Sequence, residues 1–89
     1  MCSSDLRFAH LHHTLDALRV HNDRGRAAAV RRLALAMRQA AAAAGCLRLA
    51  ERAERVAGAA EVEGHVKREA LDDLELETDA AEALWRASG

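Results

Sequence analysis

The side chains best equipped for chemistry are five histidines, and four of them crowd the start of the chain: His10, His12, His13 and His21, with His65 far downstream. An imidazole can accept a phosphoryl group, ligate a metal or change charge near neutral pH. His10 and His13 are three residues apart and His12 and Asp16 four apart, so on a helix either pair would share a face. A structural zinc site needs four ligands, and no Cys/His cluster elsewhere in the sequence completes one. No metal and no cofactor are therefore expected, and the histidines read as solvated surface groups. No serine–histidine–acid arrangement, phosphate-binding glycine loop or helical H-E-x-x-H motif is visible. The sequence marks no catalytic residue, and the expectation is that the protein is not an enzyme.

The elements that must position these residues are helices. Alanine, the best helix former, is abundant, while proline and isoleucine are absent. Few aromatic or β-branched residues remain to build strands. Low apolar content combined with high charge would suggest disorder, but the formal net charge is only −1. Apolar periodicity and turn residues predict four helices, at about residues 5–21, 24–44, 46–61 and 65–87. Ser4 or Asp5 is placed to cap the first, with Phe8, Leu11, Leu15 and Leu18 as its inward stripe. Asp23 is placed to cap the second, whose inward stripe is Val30, Leu33, Met37, Ala40 and Ala44, with Ala34 and Ala41 beside it. Gly45 is placed to end that helix in a left-handed conformation.

The third helix turns Ala50, Ala53, Val56, Ala57 and Ala60 inward, and Glu63-Gly64 marks the last turn. The fourth buries Val66, Ala70, Leu71, Leu74, Thr78, Ala81 and Trp85. Short connections favour antiparallel neighbours, so the expected fold is all-α: a single domain over residues 1–89, an antiparallel up-down-up-down four-helix bundle.

Composition also narrows the partners. An alanine-rich core buries little apolar area per residue, so association with a partner or a second copy (a homo-oligomer) is expected. Arg24, Arg26, Arg31, Arg32 and Arg38 make the second helix basic, and Asp72, Asp73, Glu75, Glu77, Asp79 and Glu82 make the fourth acidic. These read as solvated faces that help hold neighbouring helices together; so much acid argues against nucleic acid. No stretch approaches ~20 uncharged apolar residues, so no membrane span is expected. The start, MCSSDLRFAH, lacks a signal-peptide pattern. Cys2 and Cys46 lack metal-site spacing and suggest a reduced, cytoplasmic protein, with Cys2 at a frayed terminus.

Successive helical residues rotate by ~100°. By that rule Leu35 lies about 180° from the expected inward stripe, on an outward strip with Arg24, Ala28, Arg31 and Ala42, flanked by Arg38 and Gln39. An apolar residue among small ones, edged by arginines, has the composition of an interface centre with a polar rim.

From Leu35 to Leu49 the chain reads LAMRQAAAAAGCLRL. This resembles the signature of histidine-containing phosphotransfer (HPt) domains, H-x-L-K-G-x-A-x-x-x-G-A-x-x-L. Met37, Arg38, Ala41, Gly45, Cys46 and Leu49 occupy the apolar, basic, small, glycine, small and leucine positions. Leu35 stands where the family has its phosphorylated histidine, and Gln39 where it has glycine. The resemblance implies an HPt-like bundle whose second helix docks on a response-regulator receiver domain or a histidine-kinase domain. It also implies that this chain has lost phosphotransfer, because a leucine offers no nucleophile. Leu35 is then the apolar centre of docking, Ala28 and Ala42 allow close approach, Arg31 and Arg38 face acidic groups, and Gln39 sits at the rim.

Two other readings stay open. One is a self-associating or partner-binding helical module unrelated to phosphorelay, using Leu35 and the outward Leu76. The other is an active phosphotransferase using His13, although Asp16 puts negative charge where the family carries a cation.

Overall fold

Glycines decide where the helices stop. The computed structural model describes the backbone of residues 3–88 and the side chains of residues 8–87, so the expectation for Cys2 lies outside the described residues. Four helices are present, α1 (Ser3–Asp23), α2 (Ala27–Ala43), α3 (Leu47–Glu63) and α4 (Arg68–Ser88), and no strand occurs among the described residues.

At the end of α2, Gly45 adopts φ 80°, a left-handed conformation that costs glycine nothing. The Cys46 N–H donates to Ala41 O at 2.8 Å and the Gly45 N–H to Ala42 O at 3.0 Å. This is the double closure of a Schellman motif. Gly25 ends α1 in the same way, with Arg26 N–H donating to His21 O at 2.9 Å.

The helix starts are plainer. Arg26 and Cys46 stand at the N-caps of α2 and α3, and neither makes a side-chain capping bond. Asp23, expected to cap α2, is instead the last residue of α1. Gly25 forces the reversal two residues later, which moves the start of α2 beyond the reach of Asp23. Likewise α1 begins at Ser3, so Ser4 and Asp5 lie inside the helix rather than before it.

Packing follows side-chain size. α2 contributes Val30, Ala34, Met37 and Ala41 to the core, and α3 contributes Leu49, Ala50, Ala53, Val56, Ala57 and Ala60. Small residues on both sides let these two helices approach closely, and theirs is the most extensive helix–helix contact. Phe8, Leu11, Leu15 and Leu18 of α1, with Leu71 and Leu74 of α4, supply the bulk of the remaining core. Each helix packs on its neighbour in sequence, and α1 packs on α4, which closes a ring. Among the described residues, the diagonal pairs α1/α3 and α2/α4 bring no Cα atoms within 8 Å of each other.

The basic α2 and the acidic α4 are therefore not neighbours. Arg31 and Arg38 of α2 find their acids on α3, and Asp72, Glu75, Asp79 and Glu82 of α4 face Arg19 and His12 of α1. Two buried threonines satisfy themselves on their own helices: Thr14 Oγ1 donates to His10 O at 2.9 Å and Thr78 Oγ1 to Leu74 O at 2.8 Å. Trp85, expected in the core, is 41% exposed, with its ring tilted against Phe8 at a centroid distance of 6.4 Å. It lies beyond Thr78, the last buried residue of α4 among the described residues. No helix among the described residues is long and apolar enough to cross a membrane.

Candidate functional site

α2 carries the expected docking residues along its length, and the structure places two of them, Arg31 and Arg38, along its border with α3. Arg31 Nε lies 3.5 Å from Glu61 Oε2, and Arg38 Nη1 lies 3.5 Å from Glu54 Oε1. Two turns forward on α2 thus correspond to two turns backward on α3. By this register Leu35, between the two arginines, is level with Ala57, between the two glutamates.

Leu35 does not point directly away from the core, as its helical phase predicted. It is half-buried and packs against the core cluster. The buried stripe runs through Val30, Ala34, Met37 and Ala41, whereas Leu33 and Ala40 of the expected stripe are only half-buried. That displacement turns the helix by roughly 50° and leaves Leu35 about 130° from the stripe's centre. With α1 on one flank and α3 on the other, a long side chain at that angle still covers apolar surface. Ala28, Ala42 and Gln39 are exposed, as is Arg31, and Arg38 is half-buried. The strip is thus a mixed surface: one partly covered leucine, small exposed alanines, and two arginines already facing carboxylates.

The ion pairs flanking Leu35 are open to solvent, so each is worth only ~0–1 kcal/mol. Their value to a partner lies elsewhere. An arginine in an exposed pair can exchange one carboxylate for another at little cost, and its pairing holds it beside Leu35 rather than loose in solvent.

The histidines separate into different environments. His10 and His13 are exposed on α1, and His65 Nδ1 lies 3.3 Å from Glu63 O. His21 is half-buried, and its Nδ1 has no hydrogen-bond partner among the described residues. His12 looks across the α1/α4 border. Its Nε2 lies 3.3 Å from Glu82 Oε1 and 3.8 Å from Asp79 Oδ1. Sequence spacing paired His12 with Asp16 instead, because the true neighbours are about seventy positions away in the chain. The only available signal was the i,i+3 spacing of Asp79 and Glu82, which an acidic helix produces by chance.

A second feature the sequence did not indicate lies where α3 begins and α4 ends. A groove of about 360 Å³ runs between Cys46, Leu47 and Leu49 on one side and Ala81, Leu84 and Trp85 on the other. Leu47 and Leu84 are each 73% exposed along it. Arg48 and Glu77 also line the groove. Cys46 is a free thiol, half-buried.

No protein-family model, curated protein or solved structure matches this chain. The site must be judged on its own chemistry. The α2 strip carries no nucleophile: Leu35, Ala28, Ala42 and Gln39 offer none, and the arginines are cations. What it can do is bind.

Proposed function

We propose that the protein is a non-catalytic, HPt-like adaptor: an antiparallel up-down-up-down bundle that docks on a receiver or histidine-kinase domain without exchanging phosphate. The observation that carries this reading is the composition of the α2 strip. A leucine stands at the position of the signature's histidine, and Arg31 and Arg38 sit about one turn to either side, each held by a glutamate of α3. The antiparallel register of α2 and α3 and the glycine stop at Gly45 support the HPt-like arrangement. Leu35 would bury its exposed part against the partner, Ala28 and Ala42 would admit close approach, and Gln39 would lie at the edge. The two arginines would turn from Glu54 and Glu61 to acidic groups around the partner's phosphorylation site. Occupying that face would inhibit or sequester the partner.

Titration calorimetry against the receivers of the same organism tests the reading, with radiolabelled receiver to follow transfer. Binding without label transfer is the expected result. Leu35→Asp should abolish binding, and because Leu35 also packs on the core, Gln39→Glu at an exposed position serves as the parallel variant. No binding to any receiver or kinase domain would end the proposal, and label transfer lost in His13→Ala would replace it with an active phosphotransferase.

A second reading, self-association, is favoured by a different observation. Leu47, Leu84 and Trp85 place apolar surface around one groove, with a cation and a carboxylate, Arg48 and Glu77, in the same lining. An isologous dimer requires a patch complementary to itself, and Arg48 and Glu77 supply opposite charges that could pair across a two-fold axis. Leu76, 66% exposed on α4, is apolar surface outside the groove lining. Sedimentation distinguishes the two readings, since only the second requires a dimer that forms without a foreign partner.

A further inference from the structure

We propose that His12, Asp79 and Glu82 form a divalent transition-metal site, of the zinc type, that clips the first helix to the last. The ligand atoms offered by these three residues all lie within 4.8 Å of one another. His12 Nε2 is 3.3 Å from Glu82 Oε1 and 3.8 Å from Asp79 Oδ1. Zinc binds imidazole nitrogen and carboxylate oxygen at ~2.0–2.2 Å, so two ligands of a tetrahedral ion stand about 3.3–3.6 Å apart. The two measured separations fall within a few tenths of an ångström of that edge. A small rotation of the Asp79 side chain, which is 58% exposed, closes the difference.

Glu82 is already oriented for the task. Its Oε2 accepts a hydrogen bond from Arg86 Nη2 at 3.2 Å, which leaves Oε1 turned toward His12. Partners of this kind, which fix the direction of a ligating carboxylate, are a regular part of metal sites. The Asp79/Glu82 spacing sets both carboxylates on one face of α4, and His12 meets them from α1. Three protein ligands leave a fourth position for water, and the half-exposed edge of the site gives the ion a path from solvent.

The donor set is one nitrogen and two oxygens. It suits Zn2+ and neighbouring late first-row ions rather than Ca2+, which takes six or more oxygens. The site also has a structural logic. α1 and α4 share the least extensive contact of the ring. A metal there would tie together helices that the chain itself connects only through α2 and α3.

Zn2+ titration of the intact chain by calorimetry, with thermal unfolding followed in parallel, tests the site. One ion per chain should bind, and Tm should rise by ~10 °C or more at about a hundredfold excess over Kd. His12→Ala should abolish both effects. Asp79→Asn, at an exposed position that leaves the fold undisturbed, should weaken binding at least tenfold. The double substitution His10→Ala/His13→Ala should leave binding intact. Co2+ in place of Zn2+ should give the intense visible absorption of a tetrahedral site. Absence of saturable Zn2+ binding would reduce the cluster to an ordinary ion pair and overturn the proposal. So would binding that survives His12→Ala but is lost in the His10/His13 double variant.

Discussion

Asn22 holds the backbone of Val66 with both ends of its amide: Nδ2 donates to Val66 O at 2.8 Å, and Oδ1 accepts the Val66 N–H at 2.9 Å. The last turn of α1 is thereby fastened to the connection between α3 and α4, forty-four positions along the chain. Val66 itself is buried, so water cannot readily take over these bonds. Asn22→Ala should destabilise the fold by ~1–3 kcal/mol, the cost of leaving buried polar groups unpaired. Urea unfolding at equilibrium measures it; a change below a few tenths of a kcal/mol would mean that the clamp is not formed in solution.

Glycines at two positions should respond in opposite directions. A Cβ at either Gly45 or Gly58 would meet nothing within 4 Å, so sterics with neighbours decide neither case. Gly58 lies within α3, where alanine is the better helix former, and Gly58→Ala should stabilise by ~0.5–1 kcal/mol. Gly45 has φ 80°, and Gly45→Ala should destabilise by ~1–2 kcal/mol through backbone strain alone. Paired denaturation curves give both signs at once.

Docking and stability should separate at Arg38. Its ion pair with Glu54 is largely exposed, so Arg38→Glu should change unfolding free energy by less than ~1 kcal/mol. The same substitution reverses the charge offered to an acidic partner, and a tenfold or greater loss of receiver affinity is expected. Equal affinity in the variant would remove Arg38 from the interface.

For self-association the informative residue is Leu84, 73% exposed beside the groove. Leu84→Asp should leave the monomer folded, since the side chain contributes little to the core, and should eliminate any dimer seen by sedimentation. Trp85 reports the same event optically. Its fluorescence should shift with protein concentration in the parent chain and stay constant in the variant.

Much of the fold was legible because helices here are written in local signals. Alanine content, absence of proline, and the stripes of α1 and α3 predicted four helices with ends within about three residues of those observed. The glycine stop at Gly45 was legible for the same reason, since a left-handed residue is a property of one position. What failed depended on how helices meet. The inward direction of α2 was misjudged because alanines carry no weight in choosing between adjacent stripes, so Ala34 and Ala41 looked peripheral while Ala40 and Ala44 looked central. The periodicity of α4 points Trp85 to the core, but periodicity gives a direction and not a depth, and the residue is 41% exposed. The charge segregation of α2 and α4 was legible, but its pairing was not, because only topology makes them diagonal. The His12 cluster could not be seen at all: spacing within α1 points to Asp16, and the partners come from the far end of the chain.

In this bundle α1 and α2 have firm endings, and α2 and α3 have soft beginnings. Gly25 and Gly45 close their helices with paired hydrogen bonds, while α2 and α3 begin without side-chain caps. The first intrahelical bonds of those helices come from Val30 and Ala50, so the amides just before them lie outside the ladder. Unwinding should therefore travel in one direction, from the first turn inward, and amide exchange should be fastest at residues 27–29 and 47–49. The second of these stretches is a wall of the groove beside Trp85. The wall of that groove is thus also the backbone most ready to yield.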